Sequence, residues 1–442
     1  MKSTNSGRTK RNIASNLEDR HLVWRIVQDH QNPNLLFTAT EFGLFFTLDG
    51  GGKWVKLTGD APTIAFRDVT IQRREDDLVA ATFGRGFYIV DDISPLRTLT
   101  EDSLEQDAML FAGRDALWYI EQPSLAFSPG GSQGNGYFRA ENPPFGANFT
   151  YYLKEDLNSL QAARVEREKP RIEDGENTPF PAFETITAEL QEVEPTIWLT
   201  VRDSDGNVVR RLKGPAKKGF HRVNWDLRYP YAGSVALDVS PDDEPTGFLV
   251  APGMYTVSLS QRVRGQPTEL VGAQTFNVKP LRDGALPAQS DAAEFWAEVS
   301  AFDRSVTAVD VMVAELESKV QLLALATERA AGGDPVRLEN RLQSIRNEAN
   351  AIAELVGGNA ARNAISERTQ PTLRSRLGFV LTGIARSTYG PTPSLREQLS
   401  FAQSDFETIR QRLTTLVETT IPAFERELIA AGAPWVPGGK IP

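Results

Sequence analysis

Charged side chains near turns in the first hundred residues are the best placed to do chemistry. Arg20, Glu41 and Arg85 lie in turn-like segments between strand-like runs, and Arg67 lies close to the next run. A guanidinium presents a planar fork of donors that suits a carboxylate. These four residues are therefore our candidate ligand-binding residues, with a glycan or a peptide as the expected ligand. The alternative is that they are solvated loop charges or local ion pairs.

Residues for catalysis or metal binding are scarce. The sequence has no cysteine and three histidines, which excludes thiolate sites and disfavours imidazole chemistry. A glycosidase normally needs two carboxyl groups that flank the scissile bond, and no pair here has positional support. The run at 203–207 resembles a calcium loop but lacks the required glycine and glutamate further along. We therefore predict no catalytic residue, no metal and no cofactor.

The strongest motif specifies a turn. Residues 47–54, TLDGGGKW, fit the pattern Ser/Thr-x-Asp-x-Gly-x-x-Trp. Asp49 is expected to accept hydrogen bonds from amides of the turn, and Thr47 to tie the turn through its hydroxyl. Gly51 permits positive φ, and Trp54 is expected to pack over the hairpin. We interpret these four residues as structural rather than catalytic, and we call residues 47–54 the intact turn.

A degenerate copy of this motif precedes it by 44 residues, at 3–10, STNSGRTK. Asn5 stands where the aspartate is expected and Lys10 where the tryptophan is expected. The strand-like segments 35–49 and 78–92 also align with each other. A period of roughly 40–50 residues in strand-rich sequence is typical of a β-propeller blade. The repeat predicts about two blades over 1–98 and a chain that begins inside a blade.

These motifs resemble the Asp-box (BNR) repeat β-propeller proteins of bacteria, often labelled sortilin-like or glycosyl hydrolase. Segments 142–154 and 203–215 are similar to those that follow the last blade in that family. The resemblance implies a larger secreted, periplasmic or cell-surface parent protein. It implies either a non-catalytic binding or scaffold region or, alternatively, a fragment of a sialidase-like glycoside hydrolase whose active site is mostly upstream.

Residues 99–285 are predicted to form an immunoglobulin-like β-sandwich of the FlgD type. Short strand-like runs recur there, separated by turns about 10–25 residues apart. A Gly/Ser-rich loop at 128–136 and a charged segment at 155–192 interrupt the pattern. We expect the charged segment to be solvent-facing and partly helical or disordered.

Residues 288–430 change to a helical period. Apolar residues from Phe295 to Leu323 alternate by steps of four and three, which predicts one long helix. Three further helices follow, the second capped by Asp334 and the fourth by Ser394. We predict an antiparallel helical bundle with an extended tail at 431–442; the alternative is a coiled-coil surface for self-association. The fold class is thus multidomain β plus α.

The composition disfavours some classes of binding partner. The net charge is −10, which disfavours nucleic acid and anionic membranes, and no segment is long and apolar enough for membrane insertion. The N-terminal MKSTNSGRTKRN lacks the apolar stretch of a secretory signal. Open blade edges would bind further propeller blades or another chain.

Overall fold

The computed structural model describes residues 1–14, 16–121, 140–235, 245–281 and 286–439. The fold class is mixed β plus α with a helical C-terminal region, which confirms the coarse prediction. The described residues belong to two compact units, and the predicted domain boundaries stay predictions. The first unit comprises Met1–Leu117, Ser124–Asp226 and Gly253–Lys279; the second comprises Trp118–Pro123, Leu227–Pro252 and Pro280–Pro442. The predicted loop at 128–136 and the last three residues of the predicted tail lie outside the described residues.

The first unit opens with two antiparallel meanders. The first meander consists of β1 (Val23–Gln28), β2 (Leu36–Thr40), β3 (Gly43–Thr47) and β4 (Val55–Lys56), in that order. The second meander consists of β5 (Phe66–Gln72), β6 (Asp77–Thr82) and β7 (Phe87–Val90). Every residue of β2 is buried. Period-two alternation sends Phe37 and Ala39 into a shared core with Phe66 and Leu78 of the second meander.

The intact turn forms the predicted hydrogen-bond network. The Thr47 hydroxyl donates to Asp49 Oδ1 at 2.7 Å, and the same hydroxyl oxygen accepts from the Gly51 amide at 3.1 Å. Asp49 Oδ1 also accepts from the Lys53 amide at 3.1 Å. The indole of Trp54 is 5% exposed and donates to the Ile13 carbonyl at 2.5 Å.

The degenerate turn at 3–10 repeats three of these hydrogen bonds, whereas the bond from the Gly52 amide to Asp49 Oδ1, at 2.7 Å, is not repeated, because the equivalent Arg8 amide donates to the Asn5 carbonyl. The Ser3 hydroxyl donates to Asn5 Oδ1 at 3.2 Å and accepts from the Gly7 amide at 2.8 Å, and Asn5 Oδ1 accepts from the Thr9 amide at 2.8 Å. The strand pairing around it also repeats, because Lys2 pairs with Arg11 as Phe46 pairs with Val55, 44 residues later. The two turns therefore share both hydrogen bonds and register.

A largely buried ion cluster joins three loops at the end of the meanders where β1 finishes. Arg97 donates to both oxygens of Asp29 and to both oxygens of Asp76, at 2.6–3.2 Å. Burial acts to raise the pKa of Asp29, but hydrogen bonds from Arg97 and from the amides of Asn32 and Gln31 outweigh it and lower that pKa. The cluster ties the end of β1 to the loop before β6 and to the segment after β7.

Two further sheets complete the first unit. A three-stranded sheet has the order β13-β10-β8 and a five-stranded sheet the order β12-β11-β16-β17-β9. Their bounds are β8 Ala108–Leu110, β9 Ala116–Trp118, β10 Ala147–Leu153, β11 Thr196–Arg202, β12 Val208–Gly214, β13 Gly219–Trp225, β16 Gly253–Val263 and β17 Gln266–Pro280. The sheets meet through aromatic pairs, Phe149 with Phe276 at 5.2 Å and Trp225 with Tyr255 at 5.6 Å between ring centroids.

The charged segment at 155–192 contains two helices, α1 (Leu160–Glu173) and α2 (Phe183–Gln191). Arg164 of α1 donates to both carboxylate oxygens of Glu189 of α2, at 2.7 and 3.0 Å. The segment is therefore ordered as a helix pair held by charge rather than by an apolar core.

The second unit combines a short hairpin with helices. The hairpin strands are β14 (Arg228–Pro230) and β15 (Thr246–Leu249), and the sequence pattern did not predict them. The helices are α3 (Leu286–Glu328), α4 (Pro335–Gly357), α5 (Ala360–Ala364), α6 (Leu373–Ile384), α7 (Pro393–Thr415) and α8 (Ile421–Ala430). A π-helical turn at Leu416–Thr420 joins α7 to α8.

The helix caps are partly as predicted. Asp334 caps α4 by accepting from two amides, with Pro335 in the first turn. The cap of α7 was predicted at Ser394, and this was wrong. Thr392 is the cap, since its hydroxyl accepts from the Leu395 amide while Pro393 supplies the first turn. Along α3 the predicted apolar stripe is buried from Phe295 to Leu323 apart from partly exposed Phe302.

Candidate functional site

The loops of the meanders lie at two opposite ends, because successive strands run in opposite directions. Each end therefore carries a different set of side chains. The intact turn follows β3, so it lies at the end where β1 finishes and Asp29 begins the next loop. The loop that contains Glu41 lies between β2 and β3, at the opposite end. The start of β5 and the end of β6 lie at this second end as well. We call it the Glu41 end.

Arg67 is the centre of the Glu41 end. Its guanidinium carbon lies 3.8 Å from the ring centroid of Trp24 and 5.1 Å from that of Phe83. Among the described residues no acceptor bonds its buried Nε, which is consistent with a π-stacked environment. Stacking on an aromatic face holds a guanidinium through cation–π attraction without using up its N–H donors. The side chain is 36% exposed, so part of the fork faces solvent.

Glu41 positions one ring of this arrangement. Its Oε2 accepts from the indole Nε1 of Trp24 at 2.9 Å. The same oxygen lies 3.9 Å from Nη2 of Arg67, which is a long ion pair rather than a bidentate one. Glu41 therefore orients Trp24 and offsets the charge of Arg67 only in part. The arrangement is a pre-oriented cation whose donors suit a carboxylate or another anion.

Arg20 lies at the same end but has a different environment. Its Nε is 2.7 Å from Glu18 in an exposed ion pair, and its guanidinium carbon lies 5.2 Å from the Phe42 ring centroid. The neighbouring His21 imidazole is buried against Phe42 and shares a hydrogen bond with the Thr40 hydroxyl at 3.2 Å. His21 is thus a packed loop residue, and it holds the segment of Arg20 against the sheet.

Arg85 differs from the other three candidates. It lies in the turn between β6 and β7, where its backbone amide donates to the Thr82 hydroxyl at 3.0 Å. Its side chain is exposed. The structure therefore brings Glu41 and Arg67 together, leaves Arg20 beside Phe42, and leaves Arg85 on an exposed turn.

Sequence reasoning missed Trp24 and Phe83 as parts of this site. The sequence carried a signal for Phe83 only, since a phenylalanine in a glycine-rich turn is costly to expose. Trp24 is 41% exposed and Phe83 is 73% exposed. Exposed aromatic rings beside an arginine are typical of binding surfaces.

Within the part of the chain that the structure describes, no group of three or more His, Asp or Glu side chains could hold a metal ion. Among the described helices, none is both long and apolar enough to cross a membrane.

Comparisons with known proteins add little. No protein-family model matches the chain, and no curated protein matches it significantly. Two crystal structures of the extracellular domain of BT4673 from B. thetaiotaomicron are similar to 59% and 60% of the chain. Identities are 14% and 13%, with TM-scores of 0.14 and 0.15, and neither likeness bears on the fold. The chain spans about a quarter of those solved chains, 25% and 26%.

Proposed function

We propose that this chain is a non-catalytic binding region of a larger Asp-box propeller protein, and that its Glu41 end binds a carboxylate-bearing glycan or peptide. The observation that carries the binding site is the Arg67 guanidinium within cation–π distance of both Trp24 and Phe83, with Glu41 fixing the indole. The rings restrict the guanidinium before any ligand arrives. A restricted donor loses less conformational entropy on binding than a free arginine does.

The two related turns support the propeller part of this proposal. They repeat the same side-chain hydrogen bonds to the first and third residues of the motif and the same flanking pair at the 44-residue spacing expected of consecutive blades. The two meanders share a core through buried residues of β2, β3, β5 and β6, as neighbouring blades do. We likewise infer that the facing three-stranded and five-stranded sheets are an immunoglobulin-like sandwich, which fits their antiparallel order and aromatic core.

Binding of an acidic glycan tests the site. Isothermal titration of the full chain with 3′-sialyllactose, and with lactose as the neutral counterpart, should show affinity for the acidic sugar only. Arg67→Ala should abolish that binding. Arg67→Lys should weaken it about tenfold, because lysine keeps the charge but loses the planar fork and the ring stacking.

Arg73→Ala is the matched control, since Arg73 is an exposed arginine in the turn between β5 and β6, at the opposite end of the second meander. We expect its affinity to stay within about twofold of the wild-type value, as for surface charges away from a site. Equal losses in the Arg67 and Arg73 variants would contradict the proposed site. Hydrolysis of the glycosidic bond by this chain would contradict the non-catalytic part and favour the hydrolase alternative.

A further inference from the structure

A cleft of about 480 Å³ lies within the second unit, between the β14–β15 hairpin and one face of α3. Its volume is in the range of small-molecule sites rather than of packing defects. Both walls are regular elements, a hairpin and a helix of several turns. Such walls hold side chains more precisely than loops do. Nothing in the predicted or proposed function uses this cleft.

Aromatic rings form the floor of the cleft. Trp296 and Phe248 both line it, with ring centroids 6.3 Å apart and an interplanar angle of 24°. Trp296 is 3% exposed, and Trp118 packs against it with a centroid distance of 5.8 Å. The indole of Trp118 donates to the Val250 carbonyl at 2.7 Å, which fixes that ring in place. An immobile ring surface favours a ligand that has a flat or cyclic apolar part.

The α3 side of the cleft is open because the side chains that line it are small. Ala293, Ala297, Ser300 and Ala301 line the cleft, and their spacing puts them on one face of α3. The opposite stripe of α3, which includes Phe295 and Val299, is buried. The helix therefore carries large residues where it packs in the bundle and small ones where the cleft opens.

A cationic side chain lines the cleft. Among the described residues that line it, Arg304 alone carries a formal charge. Tyr231, which also lines the cleft, has its hydroxyl pKa raised by burial and by the nearby carboxyls of Asp303 and Asp310. The hydroxyl therefore stays protonated at neutral pH and can donate. A guanidinium and a hydroxyl donor beside apolar rings are complementary to a carboxylate attached to a ring.

We propose that this cleft binds a small cyclic or aromatic carboxylate, with its ring on the Trp296–Phe248 floor and its carboxylate on Arg304. The site is independent of the Glu41 end, so either can fail without the other. A neutral aromatic ligand would use the same floor but would gain nothing from Arg304. Charge is therefore the property that distinguishes the proposal from simple apolar binding.

The test uses the full chain and a matched pair of probes, 2-naphthoate and its neutral amide. Titration followed by calorimetry should show saturable binding of the naphthoate and about tenfold weaker binding of the amide, as expected for loss of a charge-assisted hydrogen bond. Arg304→Gln should remove this preference. Ala297→Phe should abolish binding of both probes by filling the cleft, with the far-ultraviolet circular dichroism spectrum unchanged.

Arg329→Gln is the control, because Arg329 is an exposed arginine just beyond the last residue of the same helix. It should bind both probes as the wild type does. Equal affinity for naphthoate and amide, or an unchanged preference in Arg304→Gln, would overturn the proposal. Absence of naphthoate binding to the wild-type chain, or retained binding in folded Ala297→Phe, would overturn it as well.

Discussion

The intact turn and the degenerate turn differ in two residues that the motif requires, yet they fold alike. The degenerate turn has asparagine for aspartate and lysine for tryptophan, and its hydroxyl and amide bonds match those of the intact turn within about half an ångström. An amide oxygen accepts the same backbone bonds as a carboxylate. The comparison teaches that the hydrogen-bonded turn and the packed indole are separable features of this motif.

Removing the packed ring should have the largest effect, and it tests whether the two turns differ in their dependence on the last residue of the motif. Trp54→Ala should destabilise the first meander by about 3–5 kcal/mol, because the indole is 5% exposed and packs with Ile13 and Leu36. Native-state hydrogen exchange at amides of β2 and β3 measures this locally. Lys10→Ala, at the equivalent position of the degenerate turn, should stay within about 0.5 kcal/mol. Comparable losses would mean that the two turns depend on the eighth residue equally.

Substitutions of the equivalent glycines in the two turns should have the next largest effect on stability. Gly51→Ala should cost about 2–3 kcal/mol, since φ is +100° and the new Cβ would lie 2.7 Å from Cβ of Ile13. Gly7→Ala has φ of +85° with nothing within 4 Å, so it should cost only about 1 kcal/mol from backbone strain. The same exchange measurement separates them, and a reversed order would show that packing at Gly51 relaxes freely.

The charge of Asp49 predicts a smaller, pH-dependent difference. The hydrogen bond from the Thr47 hydroxyl, aided by turn amides and opposed by burial, lowers the pKa of Asp49. A carboxyl with a lowered pKa stabilises fully above its unfolded pKa near 4 and loses that contribution as pH falls through the folded value. Asp49→Asn should cost about 0.5 kcal/mol at pH 7, because the exposed group is screened by solvent. It should also flatten the stability profile below pH 4.

The reverse substitution, asparagine to aspartate in the degenerate turn, should have the smallest effect. Asn5→Asp should stabilise the degenerate turn by no more than about 0.5 kcal/mol at pH 7, because Asn5 is exposed. It should also give that turn a pH dependence of the same sign as at Asp49. Urea denaturation at pH 7 and pH 3 measures both, and destabilisation at pH 7 would mean that the carboxylate does not accept the amide bonds.

Much of the fold was predictable because it depends on local patterns. Strand alternation, turn residues and the 3.5-residue period of α3 act within a few residues, so the β2–β3 and β6–β7 pairs and the helices α3, α4, α6 and α7 could be placed from sequence. The β14–β15 hairpin could not. Its first strand has three residues, too few to display alternation, and its partner begins 16 residues later. Pairing of that kind depends on tertiary packing.

The candidate site was only half predictable for a similar reason. Glu41 and Arg67 could be chosen as charged residues near turns, but Trp24 could not be assigned a direction. The pairing of β1 with β2 shifts register between Val23 and Arg25, and a bulge takes a residue out of the period-two rule. Phe83 reaches Arg67 from the far end of β6, a contact set by the strand pairing within the second meander.

The π-helical turn between α7 and α8 determines how a change in chain length there would rotate the residues of α8 relative to those of α7. Buried residues of α7 recur at intervals of three or four positions, or of seven between Ala402 and Ile409, up to Leu416, and the next buried residue is Ile421, five positions later. The regular spacing then resumes at Phe424 and Leu428. One residue turns an α-helix by about 100°, and the wider π turn absorbs one residue more than a regular helix would hold between Leu416 and Phe424. Deleting a single residue here would leave these two side chains seven rather than eight positions apart, the spacing of one α-helical face, so the fold should accommodate the deletion. Inserting a residue would turn Phe424 away from the bundle, so this stretch has room to lose a residue and none to gain one.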